Sequence, residues 1–322
     1  MQQKALTVVF GTYMNPELII PTLDGLRDQT FKDFEVYVVD DNPPTESEYI
    51  ERAKEIISNY DDLSIHYIKN DINLGVPHVF RLWVSLVKTR YFYICGAGDR
   101  LLPHAFGLMV NFLDQNPKSS MVHALESFED EQGGVVKNKE LFSSTRNVAS
   151  ALYLESHLIG GNPRLGWSQC SAVFRTQFFN IKNVRVTPYH YWDHYFHMVY
   201  LLYSDQIGYI NDFVTVRNVD NGLIDWANNN VLINRIETLY QALKFIDEFE
   251  INLINRKLPV NKYRLIIIFK LLKQSLKLKR TDEILLCLNE VFKNSFKLLL
   301  LFASLIFFFP LKLIASPFVR KK

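Results

Sequence analysis

Cysteine is scarce and scattered. Cys95, Cys170 and Cys287 are the only three in 322 residues. With an odd count and no Cys-x-x-Cys pair, they support neither a disulfide framework nor a zinc cluster, and a reducing cytosol suits them. Glycine and proline are also few, 13 and 12, against 48% hydrophobic residues. That balance excludes a disordered chain and supplies a core plus a second, smaller unit. A leader-like apolar run is missing too: Met1-Gln2-Gln3-Lys4 leads straight into Ala5–Phe10, too short for a signal peptide, so the body of the protein is expected in the cytoplasm.

Charge of one sign is lacking overall, with a net of +2, but its distribution is uneven. Lys257 to Lys322 carries 14 Lys and Arg against three acids, leaving 22 against 31 for the rest. The positive charge belongs to the tail, which points to anionic lipid or a partner and not to a basic groove for nucleic acid. Within that tail, Tyr263 to Lys279 is basic and amphipathic, and Leu298 to Leu311 is 14 uncharged, mostly apolar residues. A membrane-crossing helix needs about 20 such residues. The pattern suits a peripheral protein on the inner face of the cell membrane, lysines on headgroups and Phe and Leu at the acyl boundary. A single-pass anchor and simple packing on the protein are the other readings.

What is present is a regular alternation. Leu6 to Phe10 reads as a strand, and Asn15-Pro16 reads as an N-cap and first turn of a helix running to Gln29. Glu35 to Val39 is a second strand, Glu46 to Tyr60 a helix, Ser64 to Ile68 a third strand, Pro77 to Val87 a helix, and Tyr91 to Cys95 a fourth strand. Four strands alternating with three helices predict a mostly parallel, right-handed, Rossmann-like α/β sheet flanked by helices. Further on, Leu102-Pro103-His104 opens a helix, Met121 to Ala124 and Tyr209 to Asn218 read as strands, and Glu126 to Lys139 reads as solvated polar surface with a Gly133-Gly134 turn. From Val231 the chain turns helical.

The strand ends carry the chemistry. Thr12 and Tyr13 follow the first, Asp40 and Asp41 the second, Asn73 and Gly75 the third, and Gly96-Ala97-Gly98-Asp99 the fourth. In open α/β sheets, ligands sit outside the carboxyl ends of the strands. An aromatic to stack on a base, an acid to accept from a base N–H and an acid to hold a divalent cation on a diphosphate are the parts of a nucleotide-sugar site. A second informative stretch is Tyr189 to His197, where Asp193 stands among aromatics, a setting that suits a general base.

In order and spacing, TVVFGTYMN, LRDQTFKDFEVYVVDDN, NDINLGV and YFYICGAGD resemble the N-terminal half of the family 2 glycosyltransferases of the GT-A fold, of the non-processive bacterial glycan type. The resemblance covers residues 5 to 115 well and 160 to 200 loosely. It implies that Tyr13 stacks on the donor base with Thr12 beside it, that Asp41 contacts the base with Asp40 adjacent, and that Asn73, Gly75 and Gly98 belong to the donor site. It also implies that Asp99 is the last acid of the metal motif, holding Mg²⁺ or Mn²⁺. Ala97 or Gly98 stands where the motif's first acid would be, so at most one carboxylate of the motif reaches the metal. Asp193 falls on the family's catalytic base, although Trp192 replaces the usual Glu before it. Trp167 and Trp192 would face the acceptor.

These expectations divide the chain into a nucleotide-sugar-binding half at 1–120, an acceptor-binding half at 121–230 and a helical, membrane-associating tail at 231–322. They describe an inverting transferase that moves one sugar to a glycan or lipid-linked acceptor, because the Gln-x-x-Arg-Trp motif of processive synthases is missing after Asp193. A catalytically silent binding subunit and a nucleotidyltransferase are the alternatives. The second usually carries a Gly-rich, basic loop after the first strand, which GTYMN is not.

Overall fold

A computed structural model describes residues 3–129, 135–137, 140–159, 168–178, 192–218 and 231–278. It divides into two units, Met1–Asn229 and Asn230–Lys322.

The first unit is a layered α/β structure. Its opening elements are β1 (Leu6–Thr12), α1 (Ile19–Arg27), β2 (Phe34–Asp40), α2 (Ser47–Ser58), β3 (Ile65–Lys69), α3 (Val76–Leu86) and β4 (Tyr91–Ile94). β1 pairs in parallel with β2 on one side and β4 on the other, and β2 pairs in parallel with β3. The run of apolar residues in β4 is explained by its place: all four of its residues are buried, because helices cover both faces of a central parallel strand. Burial of each such side chain contributes about 1.5–3 kcal/mol. Leu23 and Leu26 of α1 and Phe106 and Met109 of a later helix pack onto the same cluster as Val8, Phe10, Val36 and Tyr93.

The sheet continues through β5 (Arg100–Leu101), β6 (Ser119–Glu129), β7 (Val135–Lys137), β8 (Arg146–Ala149), β9 (Ala172–Arg175) and β10 (Gln206–Asn218), with α4 (Ala105–Gln115), α5 (Ser150–Ile159) and α6 (Trp192–Leu202) among them. Its order is β3-β2-β1-β4-β9-β6-β10-β5, with β7 on β6 and β8 on β10. β9 is antiparallel to both neighbours, while β6 and β10 are again parallel. The expected Rossmann-like, mostly parallel sheet flanked by helices is therefore present, with β9 reversed near its middle and the short strands β5, β7 and β8 reversed on its far side.

Two local expectations are corrected. Asn15 caps no helix with its side chain: Pro16–Leu18 is a single 3-10 turn, and α1 starts only at Ile19. Pro16 presets the tight turn, which takes up the positions where an α-helix would have begun. The strand expected over Met121 to Ala124 runs on to Glu129, because β10 pairs with it along that whole length and β7 pairs with Ser127 to Glu129. Glu126 is consequently part of the sheet and not of a solvated loop.

The second unit contains a helical hairpin, α7 (Val231–Asn255) and α8 (Val260–Leu278). Ile236, Leu243, Ile246 and Leu253 of α7 are buried, as are Tyr263, Ile267, Ile268 and Leu271 of α8. Arg264, one of the basic residues of the tail, is spent inside this unit on Asp247 at 2.7 Å and Glu250 at 3.3 Å. Among the described residues no helix is long and apolar enough to cross a membrane. The apolar stretch Leu298 to Leu311 lies outside the described residues, as does the turn expected at Gly133-Gly134.

Candidate active site

Parallel strands end together, so the loops after β1, β2 and β4 meet at one edge. The β1 loop is tied to the β2 loop twice: Asp41 N donates to Thr12 O at 3.0 Å, and Met14 N donates to Asn42 Oδ1 at 2.7 Å. Thr12 is buried, and its Oγ1 has no hydrogen-bond partner among the described residues. Tyr13, the next residue, is 52% exposed. The large aromatic ring is left half in water, open to a ligand, beside a buried hydroxyl that spends no hydrogen bond within the described residues.

The two acids after β2 behave differently from surface carboxylates. Asp40 is fully buried; its Oδ1 accepts from Asn42 N and Nδ2 at 2.8 Å, and its Oδ2 accepts from the Tyr67 hydroxyl. Burial, together with this bond to Asp40, pushes the Tyr67 hydroxyl far above the usual range. Asp41 holds the loop after β3. Its Oδ1 accepts from Asn70 Nδ2 at 2.8 Å and Leu74 N at 2.9 Å, its Oδ2 accepts from Gly75 N at 2.9 Å, and Asn73 Nδ2 donates to its carbonyl at 3.0 Å. Gly75 has φ 73°, a conformation that a side chain would strain, and it opens α3. Thr12, Tyr13, Asp41, Asn73 and Gly75 are thus brought together, with the Asp41 carboxylate organising the loop that carries two of them.

Replacing Asp41 by Ala would leave the Asn70 amide and two backbone N–H groups without their acceptor. The expected result is a loss of roughly 3 kcal/mol of stability, read as a lower midpoint in urea. An unchanged midpoint would show that water replaces the carboxylate.

After β4, the chain turns through Gly96 to Gly98 and presents Asp99. Gly98 has φ 103°, reserved in practice for glycine. Thr22 of α1 secures the turn: its hydroxyl accepts from Gly98 N and donates to Asp99 O, both at 3.0 Å. The Asp99 side chain is 12% exposed, and burial raises its carboxyl above the ordinary range despite the neighbouring Arg217 guanidinium, which acts in the opposite sense.

Three residues that sequence reasoning did not select complete this corner. β5 is antiparallel to β10 with Val216 opposite Arg100, so Arg217 comes alongside Asp99, its Nε 3.6 Å from Oδ1. β6 is parallel to β10 with Thr215 opposite Glu126, which places Glu126 and Arg217 on one face; Arg217 Nη1 lies 3.9 Å from Glu126 Oε1. Cys170, a buried free thiol pushed well up by burial, lies 4.0 Å from Glu126 Oε2. Glu126 did carry a signal, an acid closing an apolar strand-like run. Arg217 carried none, since one basic residue in an alternating strand is ordinary.

Trp167 lies outside the described residues. Trp192 and Asp193 are the first two residues of α6, and their side chains also lie outside the description. The rest of that helix is anchored, with Tyr195, Phe196, Met198 and Leu201 buried.

Among the described residues no group of three or more His, Cys, Asp and Glu could hold a metal ion. A cation bound on a diphosphate needs less, one or two protein oxygens with phosphate and water completing an octahedron. The hard carboxylate of Asp99, in a corner where two acids face one guanidinium, fits such a cation.

An open α/β sheet with loops of this kind at its carboxyl edge is a common setting for ligand binding. The comparisons with known proteins narrow it. The model of glycosyl transferase family 2 matches residues 7–178, and the chain belongs to that family. An uncharacterised glycosyltransferase of Methanocaldococcus jannaschii is 30% identical over 140 residues, 42% of this chain and 47% of its own. A teichoic acid poly(glycerol phosphate) polymerase of Staphylococcus epidermidis is 25% identical over 219 residues, 66% of this chain and 27% of its own. The chain thus spans less than half the length of these curated relatives.

Solved structures agree on the fold, which is GT-A. S. aureus TarS in complex with UDP-GlcNAc superposes with a TM-score of 0.57 at 15% identity, covering 91% of this chain and 77% of that one. The mannosyltransferase PcManGT of Pyrobaculum calidifontis, in complex with GDP-Man and Mn²⁺, gives 0.54 at 15% identity, covering 94% and 79%.

Proposed function

We propose that the protein is a glycosyltransferase that moves a single sugar from a nucleotide-sugar to a hydroxyl of a glycan or lipid-linked acceptor, with inversion at the anomeric carbon. The observation that supports this most is that the loops after β1, β2 and β4 leave the sheet at one edge. There, exposed Tyr13 and mostly buried Asp99 supply a base platform and a carboxylate, with buried, unpartnered Thr12 beside the first. Family membership and the nucleotide-sugar complexes of the structural neighbours support the same reading. Kinship with a teichoic acid polymerase supports an acceptor on a polysaccharide precursor.

In this mechanism Tyr13 stacks on the donor base, and the loop held by Asp41, with Asn73 and Gly75, shapes the wall beside it. Asp193 accepts the proton of the acceptor hydroxyl as that oxygen bonds to the anomeric carbon. The bond from that carbon to the diphosphate oxygen breaks, and nucleoside diphosphate leaves. Mg²⁺ or Mn²⁺, held through Asp99, would supply positive charge to the departing diphosphate. Trp167 and Trp192 lie on the acceptor side.

The test is thermal melting of the full chain with a panel of UDP- and GDP-sugars, with and without Mn²⁺, followed by assay of nucleoside diphosphate release. A ligand that binds only the native state raises its apparent stability. At least one donor is expected to raise the melting temperature and to be slowly hydrolysed. Binding without release under any condition would favour a silent binding subunit.

The basic tail supports a place on the inner face of the cell membrane. The full chain is expected to sediment with vesicles containing anionic lipid and not with zwitterionic ones; equal behaviour with both would reject the electrostatic anchor.

A further inference from the structure

We infer that Arg217 is a second, protein-borne cation for the donor diphosphate, beside whatever Asp99 holds. The inference rests on the reading of this edge as a nucleotide-sugar site.

The guanidinium stands between two mostly buried carboxylates yet closes on neither. Its Nε is 3.6 Å from Asp99 Oδ1 and its Nη1 3.9 Å from Glu126 Oε1, beyond the 2.7–3.2 Å of an N–H···O hydrogen bond. Nε is buried and has no acceptor among the described residues. Two other arginines do close on carboxylates, Arg52 at 2.7 Å from Glu17 and Arg264 at 2.7 Å from Asp247, whereas Arg27 stands off its two acids at 3.7 and 3.9 Å on a more exposed face. Arg217 is therefore retained in the corner by two negative charges while its hydrogen-bond donors remain unspent.

The chemistry of the vacant donors selects their acceptor. A guanidinium is always charged and offers a rigid fork that matches two phosphate oxygens. The diphosphate of the donor is the group with such oxygens at this edge, and it gains charge as the sugar departs. The Gly96-Ala97-Gly98-Asp99 turn contributes one carboxylate, so a bound cation would have few protein ligands. A positive side chain on the neighbouring strand adds charge to the same leaving group without needing further acids. Register explains why Arg217 can do this: β5 brings it beside Asp99, and the Phe128 ring centroid lies 5.7 Å from its guanidinium carbon. Glu126 then acts as a positioning residue that keeps the guanidinium aimed along the edge when no diphosphate is bound.

The experiment is calorimetric binding of UDP, GDP, uridine and guanosine to the full chain and to Arg217→Gln and Arg217→Lys, each in Mn²⁺ and in EDTA, with melting curves for all three proteins. For Arg217→Gln, the affinity for the nucleoside diphosphate is expected to fall at least about tenfold, in EDTA as well as in Mn²⁺, with nucleoside affinity unchanged. Arg217→Lys is expected to fall between, because it keeps the charge and loses the fork. If Arg217→Gln does not melt cooperatively, Arg217→Lys decides alone: an intermediate loss confined to the diphosphate supports the inference. Unchanged diphosphate binding in the variants, or equal losses for diphosphate and nucleoside, overturns it while leaving the transferase reading in place. Wild-type protein that binds neither UDP nor GDP overturns that reading, and the inference with it.

Discussion

Asp193→Asn is expected to lower the rate of sugar transfer by about 10² to 10⁴-fold, the usual contribution of a positioned general base, while leaving donor binding intact. Asparagine keeps the size and one acceptor but cannot take the hydroxyl proton. The fold should tolerate the change, because α6 is anchored by Tyr195, Phe196, Met198 and Leu201 farther along the helix. Two readouts separate catalysis from binding: the donor-induced rise in melting temperature persists, and transfer at saturating donor and acceptor collapses. Wild-type transfer by Asp193→Asn would end its assignment as the base.

Asp99→Asn is expected to have an effect of similar size on transfer with the opposite tendency in stability. Burial raises the Asp99 carboxyl above its ordinary range, so the ionised form is disfavoured in the folded state. A raised folded-state value means that the stability gained from protonation is fully present below the unfolded carboxyl's range and is lost as pH rises through the raised one. At neutral pH the wild type therefore carries the cost of an ionised buried carboxylate, which asparagine removes. The melting temperature of Asp99→Asn at neutral pH is expected to equal or exceed that of the parent. Its Mn²⁺-dependent thermal shift with donor should vanish, and transfer should fall by about 10³-fold or more, several kcal/mol of lost charge stabilisation. A variant that keeps both the shift and the transfer would remove Asp99 from any metal role; a variant that loses stability would show that its attraction to Arg217 outweighs its burial.

Much of this edge was readable from residues alone. Tyr13, Asp41, Asn73, Gly75 and Asp99 each follow a strand recognisable by its apolar run, and parallel strands bring their ends together whatever else the fold does. The assignment of roles was less complete. Asp40 and Asp41 are adjacent and look alike, yet one is consumed by Asn42 and Tyr67 and the other organises the loop from Asn70 to Gly75. Such a difference depends on which donors the fold brings near: Asn42 is local, but Tyr67, Asn70 and Gly75 stand 27, 29 and 34 residues from the acid they serve. Glu126 and Arg217 were out of reach for a related reason. They stand 27 and 118 positions beyond Asp99 and meet it only through the pairing of β10 with both β5 and β6.

By itself the sequence determined the alternation of strands and helices, the glycine turn that exposes Asp99 and the order in which the chemical groups arrive, since these follow from local periodicity and backbone preference. Only the tertiary structure decided which acids are spent on holding loops and which are left to act, and that a guanidinium stands beside Asp99. Strand register and burial set both, and a one-residue slip in register would send each of these side chains to the other face of the sheet.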